Sequence, residues 1–482
     1  MVLPRKPAAE KGGLMGSAGS RSREPRAEVD PRAVGMDARM LKGYEGCMQQ
    51  LVKRGTIPGC ASVVMRHGQI VQAGCWGYAD LERKTPFKFN TLCRLYCSTK
   101  SYVVAAFMTL VDEGRAGLED PLEKYLPCFK GARVLAEGSA KAVKASGPIR
   151  LKHLASHMSG LGYAPELGEQ AEGEVQVGYQ KLQKAVEQGK VRTLKDFVQK
   201  LAKVPLLHHP GTMYEYGYSI DVLGHVVEVI MGKNLKECLR ERLFAPLGMD
   251  DTLWAVPDSE LPRLAALYGG AGTWGNLYGG DKNAVPVTPR SGMLRLDGNR
   301  IEDSKWRAGQ ECKFPSGGGF MGYSMGGLVS SVADTVKFVR MLLRRGVTDG
   351  GERMLREATL ATMEKNRTKS AWGKGSACYL GNIGVFREAK EYGMGGAACT
   401  YWSVDHADKT ACIWFTQHID MPEVADMKGI DTVKADLWQV VHQSVVRGSK
   451  KAGAGGAQKR RLSKAPASPS SPRKRVRRTI AK

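Results

Sequence analysis

Cys97 and Lys100 stand three residues apart in the run Leu95-Tyr96-Cys97-Ser98-Thr99-Lys100, just before an apolar stretch at 102–111. That pairing can do nucleophilic chemistry. Residues i and i+3 share one helix face, so thiol and amine meet there. Backbone N–H groups and the dipole at a helix N-terminus favour developing negative charge on a nucleophile. A neighbouring lysine can take up the proton, and both features favour thiolate over thiol. Ser98 does not substitute for Cys97. It points about 100° further round a helix, and three residues beyond it stands Ser101, not a lysine. The competing reading of Cys97 is a small buried thiol, a common fate of free cysteine.

Hydrophobic spacing shows the elements that must hold this pair. Residues 102–111 are apolar almost all round, which marks a helix buried inside a domain. Residues 37–53 read as an amphipathic helix with Met40, Leu41, Tyr44, Met48 and Leu51 on one side. Residues 59–65 read as a strand, His67-Gly68 as a hairpin turn and residues 70–76 as the returning strand. A polar loop is expected at 129–148, and helices dominate from 193 to 249. Residues 259–315 read as long ordered loops with strand fragments. A helix follows at 332–343, then strands at 400–404 and 410–416 around His406-Ala407-Asp408, then a last helix at 432–446. This order predicts an α/β (α+β) fold. One antiparallel sheet is built from both chain ends and flanked by helices, with an all-helical region at roughly 95–250 inserted between. The domain is expected to span 35–446, after a disordered segment at 1–34.

Composition bounds the setting. The hydrophobic fraction of 42% is ordinary for a globular chain. No apolar run approaches the roughly 20 residues that span a bilayer, and no secretory h-region opens the chain. An organellar transit reading stays open because Arg and Ser are frequent near the start; Glu10, Glu24, Glu28 and Asp30 count against it. The 11 cysteines are odd in number and form no Cys-x-x-Cys pair, which fits free thiols in a reducing compartment. No metal-ligand spacing is visible. Residues 447–482 hold 13 Lys and Arg and no Asp or Glu, more than half of the formal charge of +24. That tail has no apolar face and reads as disordered.

Several ordered blocks together resemble the β-lactamase-related serine hydrolases, the group of class C β-lactamases, DD-peptidases and family VIII carboxylesterases. They are Leu92 to Lys100, Leu110-Val111-Asp112-Glu113-Gly114, Asp120-Pro121-Leu122 with Tyr125-Leu126-Pro127, Leu154 to Leu161, Pro210 to Gly217, Ser316-Gly317-Gly318-Gly319 and Tyr392 to Ala398. The resemblance covers roughly residues 37–445. It implies a covalent acyl-enzyme, with Cys97 at the position of the family's nucleophilic serine and Lys100 as its base. Tyr216 matches the tyrosine of the second motif, while Tyr218 stands where β-lactamases carry Asn. Met394-Gly395-Gly396 replaces Lys-Thr-Gly, or the Trp-Gly-Gly of esterase-like relatives. By family position these residues line the substrate cleft, and the backbone N–H groups of Cys97 and Ala397 form the oxyanion hole. The missing lysine at position 394 removes a charge that would hold an anionic β-lactam. The Ser156–Leu161 and Gly-rich blocks read as mainly structural.

Three functions arise as expectations. The leading one is an esterase-type hydrolase of small esters, lactones or amides, needing no metal or organic cofactor and no membrane. The second is a catalytically inactive relative that binds a ligand or a partner. The third is a nuclear scaffold dominated by the basic tail, whose clusters at 459–461 and 473–478 fit an import receptor or nucleic acid. The tail is therefore expected to concentrate a reporter protein in the nucleus. Fluorescence microscopy of a reporter carrying residues 447–482 checks this; an even spread between nucleus and cytoplasm contradicts it.

Overall fold

The strand Gly59–Arg66 (β1) is buried along nearly its whole length, because its alternating residues serve two different layers. Cys60, Ser62 and Val64 face the helix Ala38–Lys53, where the Tyr44 and Ser62 hydroxyls hydrogen-bond at 2.6 Å. Ala61, Val63 and Met65 face the main core. This is the period-2 pattern of a central strand covered on both sides. The computed structural model describes residues 24–135, 141–164, 173–269, 293–297, 327–367, 376–379, 381–383, 391–419 and 440–446. The Ser316–Gly319 block, the basic tail, most of 259–315 and most of the expected last helix lie outside them. By contacts the chain divides into Met1–Val446 and Arg447–Lys482, and every described residue belongs to the first unit.

The remaining sheet strands are Gln69–Asp80 (β2), Thr85–Pro86 (β3), Ser376–Cys378 (β4), Gly381–Ile383 (β5), Glu391–Gly396 (β6), Thr400–Asp405 (β7) and Thr410–Phe415 (β8). They form one eight-stranded antiparallel sheet in the order β4-β5-β6-β7-β8-β1-β2-β3. The pairing of β1 with β8, from Ala61 opposite Phe415 to Arg66 opposite Thr410, joins the two ends of the chain. The expected mixed architecture with a helical middle is thus the one observed. Helices Leu194–Leu201 and Ser219–Met231 and the turns after them supply that middle. No helix among the described residues is long and apolar enough to cross a membrane.

Two local features differ from expectation. Within 129–148, residues Arg133–Leu135 and Ala142–Lys144 pair as a small hairpin, with Val134 buried on Leu206; the polar composition hid this single anchoring residue. Residues 24–34, expected as part of a disordered leader, are held by specific contacts. The Glu28 carboxylate accepts from Ile70 N–H at 2.8 Å and pairs with Arg340 at 2.8 Å, and Asp30 caps the turn Pro31–Val34. Polar side chains anchor this segment, so an apolar pattern could not reveal it.

The helix Val332–Leu343 lies on the core face of the sheet, opened by Ser331, whose hydroxyl accepts from Asp334 N–H at 3.2 Å. Its Phe338 packs 4.4 Å from the Tyr102 ring and 5.7 Å from that of Trp402. One side chain thereby joins both helices to the sheet. Phe338→Ala is expected to lower unfolding stability by about 3–5 kcal/mol, the range for a buried aromatic lost from a close-packed core. Urea unfolding of both proteins measures the difference.

Candidate active site

The turn carrying Cys97 is bent into an uncommon shape. Tyr96, the residue before it, has φ of +45°, a conformation that costs a non-glycine residue of order 1–3 kcal/mol unless its surroundings enforce it. Here the enforcing contacts are visible. Leu95 N–H donates to the Leu328 carbonyl at 2.9 Å, and the Thr99 hydroxyl accepts from Leu328 N–H at 2.9 Å. Gly327 lies so close that a Cβ on it would stand 3.0 Å from the Tyr96 carbonyl oxygen and 2.7 Å from the Thr99 hydroxyl oxygen. On the other side the Ser98 hydroxyl donates to the Thr400 carbonyl at 2.9 Å, and the Thr400 hydroxyl donates to the Leu95 carbonyl at 3.3 Å. Ser98 is therefore committed to the sheet. Cys97 lies within the short turn Tyr96–Ser98, and Lys100 follows in the first turn of the helix Thr99–Asp112.

Lys100 is buried, and its Nζ has no hydrogen bond of ordinary geometry among the described residues. It lies 4.7 Å from the centre of the Tyr216 ring. Burial pushes its pKa below the usual lysine value, while Cys97 and Asp221 pull the other way. Tyr216 is raised well above the usual phenol value, first by burial and then by the neighbouring Cys97 and Tyr163. Lys100 and Tyr216 thus converge on Cys97. Together with Met394 they line a small cavity of about 20 Å³, room for about one water molecule. Cys97 is 9% exposed and is not part of the lining.

The other expected site residues fall in three places. Gly396 ends β6 against the nucleophile turn, where a Cβ would sit 2.1 Å from the Leu95 carbonyl oxygen. Ala397 is the next residue, in the turn that leads to β7. At Gly395 a Cβ would strike the Tyr401 ring at 2.0 Å, so the crowding at both glycines is with protein. Tyr218 lies away from the cavity lining, in an aromatic cluster 4.7 Å from Tyr163 and 5.1 Å from Phe197. His208 meets Glu215 at 3.3 Å, and His209 Nδ1 accepts from Ser146 N–H at 3.1 Å.

His157 enters the site although its block read as structural. Its ring lies 4.7 Å from that of Tyr216, and its Nδ1 accepts from Gly217 N–H at 3.3 Å. That bond leaves the proton of the neutral ring on Nε2. Burial, with Lys100 adding to it, drives the His157 pKa down to about 3. Tyr214, Cys378 and Tyr379 also line the cavity. Tyr214 fell within a recognisable block; Cys378 and Tyr379 carried no sequence signal, because strand pairing alone brings them there.

The family model for Beta-lactamase matches residues 45–430, and the chain belongs to that family. Esterase EstB of Burkholderia gladioli is 31% identical over 305 residues, which is 61% of this chain and 70% of the relative. Protein Rv1367c of Mycobacterium tuberculosis (strain ATCC 25618 / H37Rv) is 27% identical over 407 residues, covering 78% and 90%. Two solved structures share the fold. EstCE1, a hydrolase with promiscuous acyltransferase activity, has a TM-score of 0.63 at 24% identity, covering 85% of this chain and 98% of its own. Simvastatin synthase (LovD) from Aspergillus terreus has a TM-score of 0.63 at 20% identity, covering 86% and 100%. The family relationship supports a hydrolytic or acyl-transfer role in general.

Two buried histidines, His157 and His418, and the half-buried His153 favour the fold at neutral over acid pH. Burial lowers His157 from the ordinary 6.5 to about 3, and His153 and His418 to about 4. In the range between these values each of these histidines binds more protons in the unfolded chain than in the folded one. Their contribution is thus intact above pH 6.5 and is lost as pH falls toward 4. The urea midpoint is expected to drop between pH 7 and about pH 4.5, and less steeply in His157→Gln. Equilibrium unfolding across that range checks both the direction and the flattening.

Proposed function

We propose that the chain is an esterase-type acyl-transfer hydrolase in which Cys97 attacks small, neutral esters, lactones or amides. The observation that supports this best is the convergence of a desolvated Lys100 and a buried Tyr216 on Cys97 at a strained turn. Desolvation makes the neutral amine more available, so Lys100 can take the thiol proton. The sulfur then adds to the substrate carbonyl, and the backbone N–H groups of Cys97 and Ala397 receive the developing oxyanion. Collapse of the tetrahedral adduct breaks the bond to the leaving group, which takes a proton through Tyr216. A thioester remains at Cys97. Attack by water or an acceptor alcohol releases the acyl group and returns the proton to sulfur.

The replacement at 394 supports neutral over anionic substrates. Met394 presents an adaptable apolar edge where a lysine would hold a carboxylate. The cavity enclosed by the described residues holds only about 20 Å³. It suits the reacting carbonyl end of a ligand, not a whole one.

One observation favours a second reading. Cys97 does not line that cavity, as would suit a family member that binds ligands without turning them over. Intact-mass spectrometry after exposure to activated esters separates the two. The enzyme reading expects a single acyl adduct on Cys97, absent in Cys97→Ala. It expects faster turnover in Cys97→Ser, whose oxygen ester restores the geometry of a shorter bond. Lys100→Ala is expected to lower kcat/KM by about 10²–10⁴, as for loss of a positioned base. Binding without adduct or turnover in all variants supports the second reading.

A further inference from the structure

Glu391 and Asp405 are directly opposite each other in the pairing of β6 with β7. Both are buried, and both are acids. Like charges at directly paired positions destabilise a sheet unless something of opposite charge lies between or beside them. What lies beside them is His442, in the segment 440–446 that packs Val441 and Val445 against the sheet layer.

The imidazole is oriented by one nitrogen, and the other faces Asp405 at ion-pair distance without a hydrogen bond. Its Nε2 meets Glu391 Oε2 at 3.2 Å. Its side chain is 10% exposed, and its buried Nδ1 has no hydrogen-bond partner among the described residues. Nδ1 stands 3.9 Å from Asp405 Oδ2, beyond hydrogen-bond range. Asp405 Oδ1 is already occupied, accepting from Ala407 N–H at 2.7 Å and Asp408 N–H at 3.1 Å. That turn carries Asp408 toward the same place. One ligand atom from each of Asp405, Asp408 and His442 lies within 4.8 Å of the others.

We propose that Asp405, Asp408 and His442 bind a divalent transition-metal ion, with zinc the best fit, while Glu391 orients the imidazole from its far side. Ligands about 2.1 Å from a tetrahedral zinc stand roughly 3.4 Å apart, so a modest contraction closes the site. A histidine whose other nitrogen is held by a carboxylate is the usual arrangement around such ions. One imidazole and two carboxylates favour zinc over calcium or magnesium, which take oxygen ligands alone. Asp405 and Glu391 occupy the end of their strands opposite Gly396, roughly 17 Å away at about 3.3 Å per residue. The ion is therefore remote from the nucleophile turn, and with three protein ligands it keeps a fourth position for water. It ties the last helical turn to the hairpin end of the sheet, and the acyl chemistry proposed above is independent of it.

The test uses the full chain after chelator treatment and desalting. Isothermal titration with zinc chloride is expected to show about one equivalent bound and a thermal midpoint raised by added zinc. Asp408→Asn, on the partly exposed turn, and His442→Ala each abolish that binding or weaken it at least tenfold, while circular dichroism confirms that both remain folded. Glu391→Gln weakens it about 10-fold or more, as loss of an orienting partner does. Cobalt in place of zinc is expected to give visible bands without thiolate charge transfer, which distinguishes this site from cysteine sites. Absence of stoichiometric binding overturns the proposal and leaves the cluster an ion-pair clamp. Binding unchanged in Asp408→Asn and His442→Ala overturns it equally.

Discussion

The close approach of β6 to the turn before the helix Thr99–Asp112 is the contact on which the rest of the site depends. Gly396 has no Cβ, and any Cβ there would overlap the Leu95 carbonyl oxygen. The strand can therefore lie directly against the turn. Ser98 and Thr400 then lock the two together through paired side chain-to-backbone bonds. On the opposite side, the backbone of Leu328 and the bare approach of Gly327 hold Tyr96 in its left-handed conformation. The unusual backbone at Tyr96 is thus maintained by neighbours far away in the chain.

Burial sets the electrostatics of this region. Lys100, Tyr216 and His157 are all desolvated, and in each case desolvation is the largest influence on its pKa. It disfavours the charged form in all three, so a lysine, a tyrosine and a histidine all shift toward neutrality. A closely packed, desolvated cluster can exchange protons over short distances without first shedding water. The same packing makes the pocket small. Its walls come from the helix Thr99–Asp112, the loop at His157, the start of the helix Ser219–Met231, and strands β4 to β6.

Much of this architecture was legible from residue order. The amphipathic helix near residue 40, the hairpin after residue 59, the helix at 332–343 and the paired strands around His406 follow from spacing, because one face of each meets a core. The short strands β4 and β5 were not legible, since three-residue strands carry too little pattern. Residues 24–34 were missed because Glu28 and Asp30, two acids, hold them in place. Of the site, Cys97, Lys100 and Tyr216 stood out through motif position. His157 did not, because its role as a neighbour of Tyr216 depends on a loop folding back from a distant part of the chain.

The sequence by itself determined the family, the pairing of a thiol with a lysine one turn later, and the residue types at positions 218 and 394. These are properties of residue type and local spacing, which a helix or a motif preserves without help from the rest of the chain. Tertiary structure alone decided where those groups ended up. It placed Tyr218 in an aromatic cluster instead of in the cavity wall, turned Ser98 toward the sheet and brought Cys378 and Tyr379 beside Lys100. It also decided the protonation tendencies, because desolvation depends on everything packed around a group, and those neighbours come from every part of the folded chain.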